Sequence, residues 1–316
     1  MSKYATSNTS IDLSNKTAAV AGGTTGIGAA LGVRFAKAGA NVFVIGRNPQ
    51  RGQDVVDQLR AAGKPGCQYE FIKADLSLTT EVRRVAEELK TKSGGEIHYL
   101  VTTQGGPPNG STDLTAESHN SHFAIQTLSR FGLAYSLASS GTLKDTWISI
   151  LSPGGANSSP PNVDDLELKG VLSNMWKLRR IINQGAQDGA LGDAMAAQLP
   201  REFPHLKAYH LFPGYVQTTA GSSAGFPAPI LWAQSLFGPL LTKFAPYCHT
   251  PTDYAEIPFY VAVNGEGRSK YDELRYSGVR VKGLGMPEWA KDASANGTAK
   301  VVWEKLKETF EKGKAE

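Results

Sequence analysis

The sequence predicts an α/β fold built on a doubly wound parallel sheet. Two observations predict it. Short apolar, β-rich runs alternate with helix-period segments from residue 17 to about residue 215, with short links between them; such alternation means parallel strands joined by helical crossovers. A glycine-rich turn joins the first run to the first helical segment. Crossovers are right-handed, which puts helices on both faces of the sheet.

The elements follow in order. Thr17–Ala21 is the first run, and Gly26–Ala38 is Ala-rich and helical in pattern. Asn41–Ile45 is the second run, followed by a helix over Pro49–Ala62. Tyr69–Lys73 is the third, followed by a charged amphipathic helix over Thr79–Lys92. Ile97–Thr103 is the fourth, with a long helix inside Thr115–Ser139. Thr146–Leu151 is the fifth and Leu206–Phe212 the sixth. Beyond Pro251 the pattern gives more helix and irregular chain, then a charged helix over about Thr298–Lys312.

Two segments break the rhythm. Ser152–Ala186 opens with Pro153-Gly-Gly-Ala-Asn-Ser-Ser-Pro-Pro161, and Thr218–Pro251 is apolar and rich in Pro and Phe. Both follow the C-terminal ends of strands, where open α/β sheets bind ligands, and long loops in compact domains are usually functional. No repeat or linker interrupts the chain, so residues 1–316 are expected to form one domain, with a lid over residues 218–250.

Composition excludes several classes. At 41% hydrophobic and 20% charged residues, with a net charge of +4, the chain reads as an ordinary globular protein. No Lys/Arg block marks a nucleic-acid partner. Two distant cysteines, Cys67 and Cys248, make neither a disulfide framework nor a zinc site. The N-terminal residues lack an apolar signal core, and no stretch reaches the roughly 18 apolar residues of a membrane span. A cytoplasmic location is the expectation.

The sharpest motif is Val20-Ala21-Gly22-Gly23-Thr24-Thr25-Gly26-Ile27-Gly28. Gly22 suits a tight turn, while Gly26 and Gly28 let backbone approach a pyrophosphate and pack against the sheet. The helix that starts there offers free N–H groups and partial positive charge. A plain strand-to-helix turn would use the same residues, but the strand-turn-helix context is the one a dinucleotide requires. An NAD-binding fold carries an acid at the end of its second strand; here that place reads Ile45-Gly46-Arg47-Asn48. A guanidinium matches a ribose 2′-phosphate by charge and fork geometry, so NADP(H) is the expected cofactor.

At this point the chain resembles the short-chain dehydrogenase/reductase superfamily, over roughly residues 15–220. Gly22-x-x-x-Gly26-Ile27-Gly28 matches its glycine motif, with Ala21 in place of the usual Thr. Asp75-Leu76 is similar to its adenine-contacting pair, and Pro213-Gly214-Tyr215-Val216-Gln217-Thr218 to its segment near the nicotinamide. The resemblance implies a Rossmann domain, often dimeric. It makes Gly22, Thr24, Thr25, Gly26, Ile27, Gly28, Arg47, Asn48, Asp75, Leu76, Gln104, Gly105, Pro213, Gly214, Val216 and Thr218 the expected cofactor contacts.

The departures concern catalysis. The family's Asn-Asn-Ala-Gly reads Thr102-Thr103-Gln104-Gly105, and Gln126 stands at its mid-helix Asn. Ser152 follows the fifth strand where the catalytic Ser belongs, but no tyrosine occurs between Pro153 and Ala208. Ser173 and Lys177 fall in the Tyr-x-x-x-Lys window without a fixed alignment. The pattern resembles a divergent, fungal-type branch of the family. Carbonyl reduction needs a proton donor worth about 10²–10⁴ in rate, so a replacement donor or a substrate needing none is implied. Ser152, Gln126 and Tyr215 are the candidate catalytic residues. Tyr215 could face the nicotinamide or pack against the lid. Tyr209 reads as core, and Asp164 and Asp165 as solvated. His119 and His122 lie one turn apart on the expected helix with no evident carboxylate partner, so no metal site is expected.

The lid segment Phe226–Phe244 suggests a bulky hydrophobic substrate, and could equally be a dimer face or a membrane-touching patch. Three functions fit: an NADP(H)-dependent oxidoreductase with an atypical site, a non-redox cyclase or isomerase that keeps the cofactor pocket, and a cofactor-sensing protein.

Overall fold

The computed structural model describes residues 3–151, 154–217, 248–263, 276–277 and 283–312. Its centre is a seven-stranded parallel sheet in the order β3-β2-β1-β4-β5-β6-β9. The strands are β1 (Thr17–Ala21), β2 (Asn41–Gly46), β3 (Tyr69–Lys73), β4 (Ile97–Thr102), β5 (Leu143–Ile150), β6 (Lys207–Leu211) and the two-residue β9 (Tyr276–Ser277), while the two-residue β7 (Tyr215–Val216) and β8 (Cys248–His249) pair with each other apart from this sheet. Every residue of β1 and β4 is buried; continuous apolar runs are what central parallel strands need, because helices cover both faces. The order reverses between β1 and β4, which leaves a crevice outside their C-terminal ends.

Helices cover both faces of the sheet. On one face lie α1 (Gly26–Lys37), α2 (Pro49–Ala62) and α6 (Pro251–Val263), whose buried residues form one core cluster with that side of the sheet. On the other lie α3 (Thr79–Lys92), α4 (121–139), α5 (Lys177–Glu202) and α8 (Thr298–Lys312), with their own cluster. Between α6 and α8 comes the short α7 (Glu288–Lys291). The α2 start is fixed locally: Pro49 occupies the first turn and the Asn48 side chain accepts from Arg51 N at 3.0 Å, an N-cap that satisfies an otherwise orphaned donor. Gly132 of α4 lets α8 approach, since a Cβ there would sit 2.4 Å from Phe310 Cε2.

The α/β fold and doubly wound sheet stand as the sequence indicates, and α2, α3 and α8 keep their expected bounds. The strand expected over Thr146–Leu151 starts earlier, at Leu143. The larger correction concerns Ser152–Ala186, read as one loop. Its last ten residues are the first turns of α5, which runs 26 residues from Lys177. Gln184, Gln187 and Asp188 are buried on that helix; polar residues on an inward face hid the apolar period. The lid at 218–250 lies outside the described residues except for 248–250, where Cys248–His249 pairs in parallel with Tyr215–Val216. No helix among the described residues is long and apolar enough to cross a membrane.

Candidate functional site

A groove of about 390 Å³ runs across the C-terminal ends of β1, β2, β3 and β4. Its middle is the glycine turn. Gly22 and Gly23 donate to Ile45 O at 3.0 and 3.1 Å, which folds the turn back over β2. Gly22 has φ +75°, and a Cβ there would sit 2.6 Å from Gln104 N, so only glycine closes this turn. A Cβ at Gly28 would meet Gly22 O at 2.4 Å. Thr103 Oγ1 donates to Ala21 O at 2.9 Å and latches β4 to the same turn. Thr24 and Thr25 line the groove. Thr25 is the N-cap of α1, yet its side chain makes no capping hydrogen bond. The first amides of α1 are therefore left for another acceptor.

One end of the groove is basic and the other is polar and buried. Arg47, Asn48 and Arg51 line the first end, opposite Asp75 and Leu76 from the β3 end. Asp75 Oδ1 accepts from Ser77 N and Oγ at 3.1 and 2.8 Å, which holds that turn. Gln104, Gly105, Gly106, Pro107, His122 and Gln126 line the second end. There α4 contains a π-helical turn over Ala124–Leu128, a device common at functional sites. It brings Gln126 against the 104–106 loop, where its Nε2 donates to Gly106 O. Gly105 has φ +106°, and a Cβ there would meet Gln126 Cδ at 2.5 Å.

Beneath this end lies Arg130, which is fully buried. Its Nη1 donates to Thr102 O at 2.6 Å and Ser149 Oγ at 3.2 Å, and its Nη2 to Gln104 O at 2.6 Å and Gln126 Oε1 at 3.3 Å. Burial pulls its pKa down to about 10 while the charge of Asp188 opposes that fall. It stays charged near neutrality and pins the end of β4 to α4. Gln104 Nε2 donates to Ser129 Oγ at 2.9 Å.

His122 Nε2 lies 2.6 Å from Asp188 Oδ2, with both side chains buried. His119 precedes α4, its Nδ1 3.0 Å from Glu167 Oε1. The two histidines therefore do not share a helix face, and each has the carboxylate the sequence reading did not find. No metal-ligating cluster exists among the described residues.

The expected site residues divide. Gly22, Thr24, Thr25, Arg47, Asn48, Asp75, Leu76, Gln104, Gly105 and Gln126 line one groove. Gly26, Ile27 and Gly28 are not among its lining residues; they form the first turn of α1, with Ile27 packed against the core. Pro213, Gly214, Tyr215 and Val216 are half-buried and also absent from the lining, with Val216 on the core and Tyr215 paired to β8 (Cys248–His249). Ser152 and Thr218 lie outside the described residues. Ser173 and Lys177 are exposed and line neither this groove nor the neighbouring cavity. Asp165 is less solvated than expected, accepting from Lys169 N and Gly170 N at 2.9 and 2.8 Å. Tyr209 is core. Sequence reasoning missed Arg51, Arg130 and Asp188, and weighed His122 only as a metal ligand. The spacing of His122 and Gln126, one helical turn apart, was the available signal.

A second cavity, of about 520 Å³, lies between the 154–162 loop and Asn183, Ala186 and Gln187 of α5.

Residues 16–144 match the family model for short chain dehydrogenases. That match spans the glycine turn and the first four strands, and over this stretch the chain is similar to the short-chain dehydrogenases. It is 32% identical over 125 residues to the oxidoreductase calI of Penicillium decumbens, covering 40% of this chain and 36% of that one. It is 29% identical over 220 residues to an uncharacterized oxidoreductase of Saccharomyces cerevisiae, covering 66% of this chain and 63% of the relative. The chain thus spans about a third to two-thirds of these relatives' lengths. Its fold is similar to that of a short chain dehydrogenase from Burkholderia cenocepacia in complex with NADP, at TM-score 0.59 and 21% identity, covering 87% of this chain and 96% of that one.

Proposed function

We propose that this protein is an NADP(H)-dependent oxidoreductase acting on a bulky hydrophobic metabolite through an atypical active site. The observation that carries the reading is the groove itself. A cation pair, Arg47 and Arg51, stands at one end, uncapped helix amides at the middle, and a buried polar cluster at the other. These residues fit a phosphorylated dinucleotide. The pyrophosphate would take the amides of α1, the 2′-phosphate the guanidiniums, and the nicotinamide the end lined by Gln104, Gly105 and Gln126. When bound, the nicotinamide supplies or accepts a hydride. The chain's own part is to orient the cofactor, exclude water and handle the proton. Ser152 is kept as the hydroxyl at the end of β5, and Tyr215 as a group near the same edge. The absence of tyrosine between Pro153 and Ala208 makes the site atypical.

The apolar segment 226–244 supports a bulky, hydrophobic substrate. Trp176, Leu178 and Ile182 stand exposed at the start of α5, which supports a homodimer through that face. The test is NADPH consumption, followed at the nicotinamide absorbance, with a panel of bulky ketones, quinones and activated alkenes. Product formation without change in that absorbance would instead select a cyclase or isomerase. Binding of NADPH without any turnover would select a sensor.

A further inference from the structure

We propose that His122, held by Asp188, is the proton donor and acceptor at the substrate end of the groove; this rests on the oxidoreductase reading above. The geometry carries it. His122 lies on α4 one turn before Gln126, and both line the end of the groove formed by the 104–107 loop. That end is opposite Arg47 and Arg51, so it is where the reactive ring of a dinucleotide would fall.

The ring has one nitrogen committed and one left over. Nε2 is 2.6 Å from Asp188 Oδ2. An ionised carboxylate only accepts, so Nε2 carries the hydrogen. Nδ1 makes no hydrogen bond with any described residue, although the side chain is only 7% exposed. A carboxylate bonded to one imidazole nitrogen fixes the tautomer and stabilises the imidazolium, which leaves the other nitrogen to give or take a proton. The charge of Asp188 also supports the ionisation of the buried Arg130 guanidinium.

A contrasting pair lies elsewhere in the fold. His210 Nδ1 is 2.9 Å from Asp193 Oδ1, and that ring is fully buried, with Nε2 sealed away from any groove. The same chemistry there has no access to a substrate. His122 has access.

A substrate carbonyl oxygen rests against Nδ1–H of the imidazolium. With the hydride that a bound reduced nicotinamide would supply, a C–H bond would form at the carbonyl carbon and the π pair would move to oxygen. The oxygen takes the Nδ1 proton, the N–H pair stays on nitrogen, and a neutral imidazole remains bonded to Asp188. Water then returns a proton to Nδ1. The reverse sequence serves alcohol oxidation. No tyrosine is required.

The test has two readouts. In cofactor-free protein, diethyl pyrocarbonate followed by mass spectrometry should modify His122 through Nδ1 and should leave His210 intact. Saturating NADP+ should slow the His122 reaction at least about threefold. An unmodified His122 under conditions that modify the exposed His205 overturns the proposal. In turnover, phenanthrenequinone and bulky aryl ketones serve as carbonyl probes with NADPH. His122→Gln should lose about 10²–10⁴ in kcat while binding NADPH within about threefold of wild type. Asp188→Asn, which keeps the side-chain volume, should lose at least about tenfold. His119→Gln should match wild type. Wild-type turnover equalled by His122→Gln overturns this inference alone. Wild-type protein that oxidises no NADPH with any probe overturns the oxidoreductase reading and this inference together.

Discussion

Replacing Arg130 with methionine should destabilise the protein by about 2–4 kcal/mol. Methionine keeps most of the buried volume and removes the charge and the fork. Two carbonyls, of Thr102 and Gln104, lose donors that stand at 2.6 Å, and each hydrogen bond to a charged group is worth about 1.5–3 kcal/mol. The longer bonds to Ser149 and Gln126, at 3.2 and 3.3 Å, add less. Against this, the variant no longer buries a charge, a cost visible in the fall of the guanidinium pKa to about 10; relief of a desolvation penalty returns on the order of 1–2 kcal/mol. Urea unfolding measures the difference. Tryptophan fluorescence is a suitable signal, because Trp147 Nε1 donates to Thr102 Oγ1 at 3.1 Å beside the lost fork. The same variant should bind NADPH more weakly, since the 103–106 loop loses its anchor. A loss of stability below about 0.5 kcal/mol would mean that the carbonyls find other partners and that Arg130 does not hold the end of β4.

Three further outcomes are expected. Arg47→Ala should weaken NADPH binding by about 1.5–3 kcal/mol and Arg51→Ala by a smaller amount, with NADH affinity barely changed; titration calorimetry that finds equal losses for both nucleotides refutes the 2′-phosphate assignment. Ser152→Ala should lower turnover at least about tenfold, or 1.4 kcal/mol in the barrier, whereas Ser173→Ala should leave steady-state rates unchanged because Ser173 is exposed and outside the groove. For Glu167, burial acts against ionisation, but hydrogen bonds from His119, Asn120 N and Lys169 outweigh it, so the carboxyl titrates below its usual 4.5. The unfolded chain then binds that proton more readily, so the stabilisation is present above about pH 4.5 and is lost as pH falls through the lowered folded value. Glu167→Gln should therefore show a shallower loss of stability on acidification below about pH 4.5, and an unchanged acid limb would contradict this.

The fold was legible because its signals are local. The buried runs of β1 and β4, the Pro49 start of α2 and the Thr298–Lys312 helix each declare themselves within a short window. So did the glycine turn and Arg47, since strand, turn and helix stand in one stretch of sequence. Residues 177–202 did not, because α5 turns Gln184, Gln187 and Asp188 inward, and buried polar residues erase the apolar period. The His122–Asp188 pair is separated by 66 residues, so nothing in either neighbourhood points to the other. Arg130 looks like an ordinary helix arginine until the sheet places two carbonyls around it. Tyr215 is placed by pairing with Cys248–His249, a contact no local pattern encodes.

Direct titration of the purified chain tests whether the groove holds NADP(H). Nucleotide fluorescence, followed as NADPH and then NADH are added, gives both affinities on one preparation. NADPH should bind saturably at one site per chain, at least about tenfold tighter than NADH, a difference of about 1.4 kcal/mol. Absence of NADPH binding, or equal or tighter binding of NADH, would contradict it.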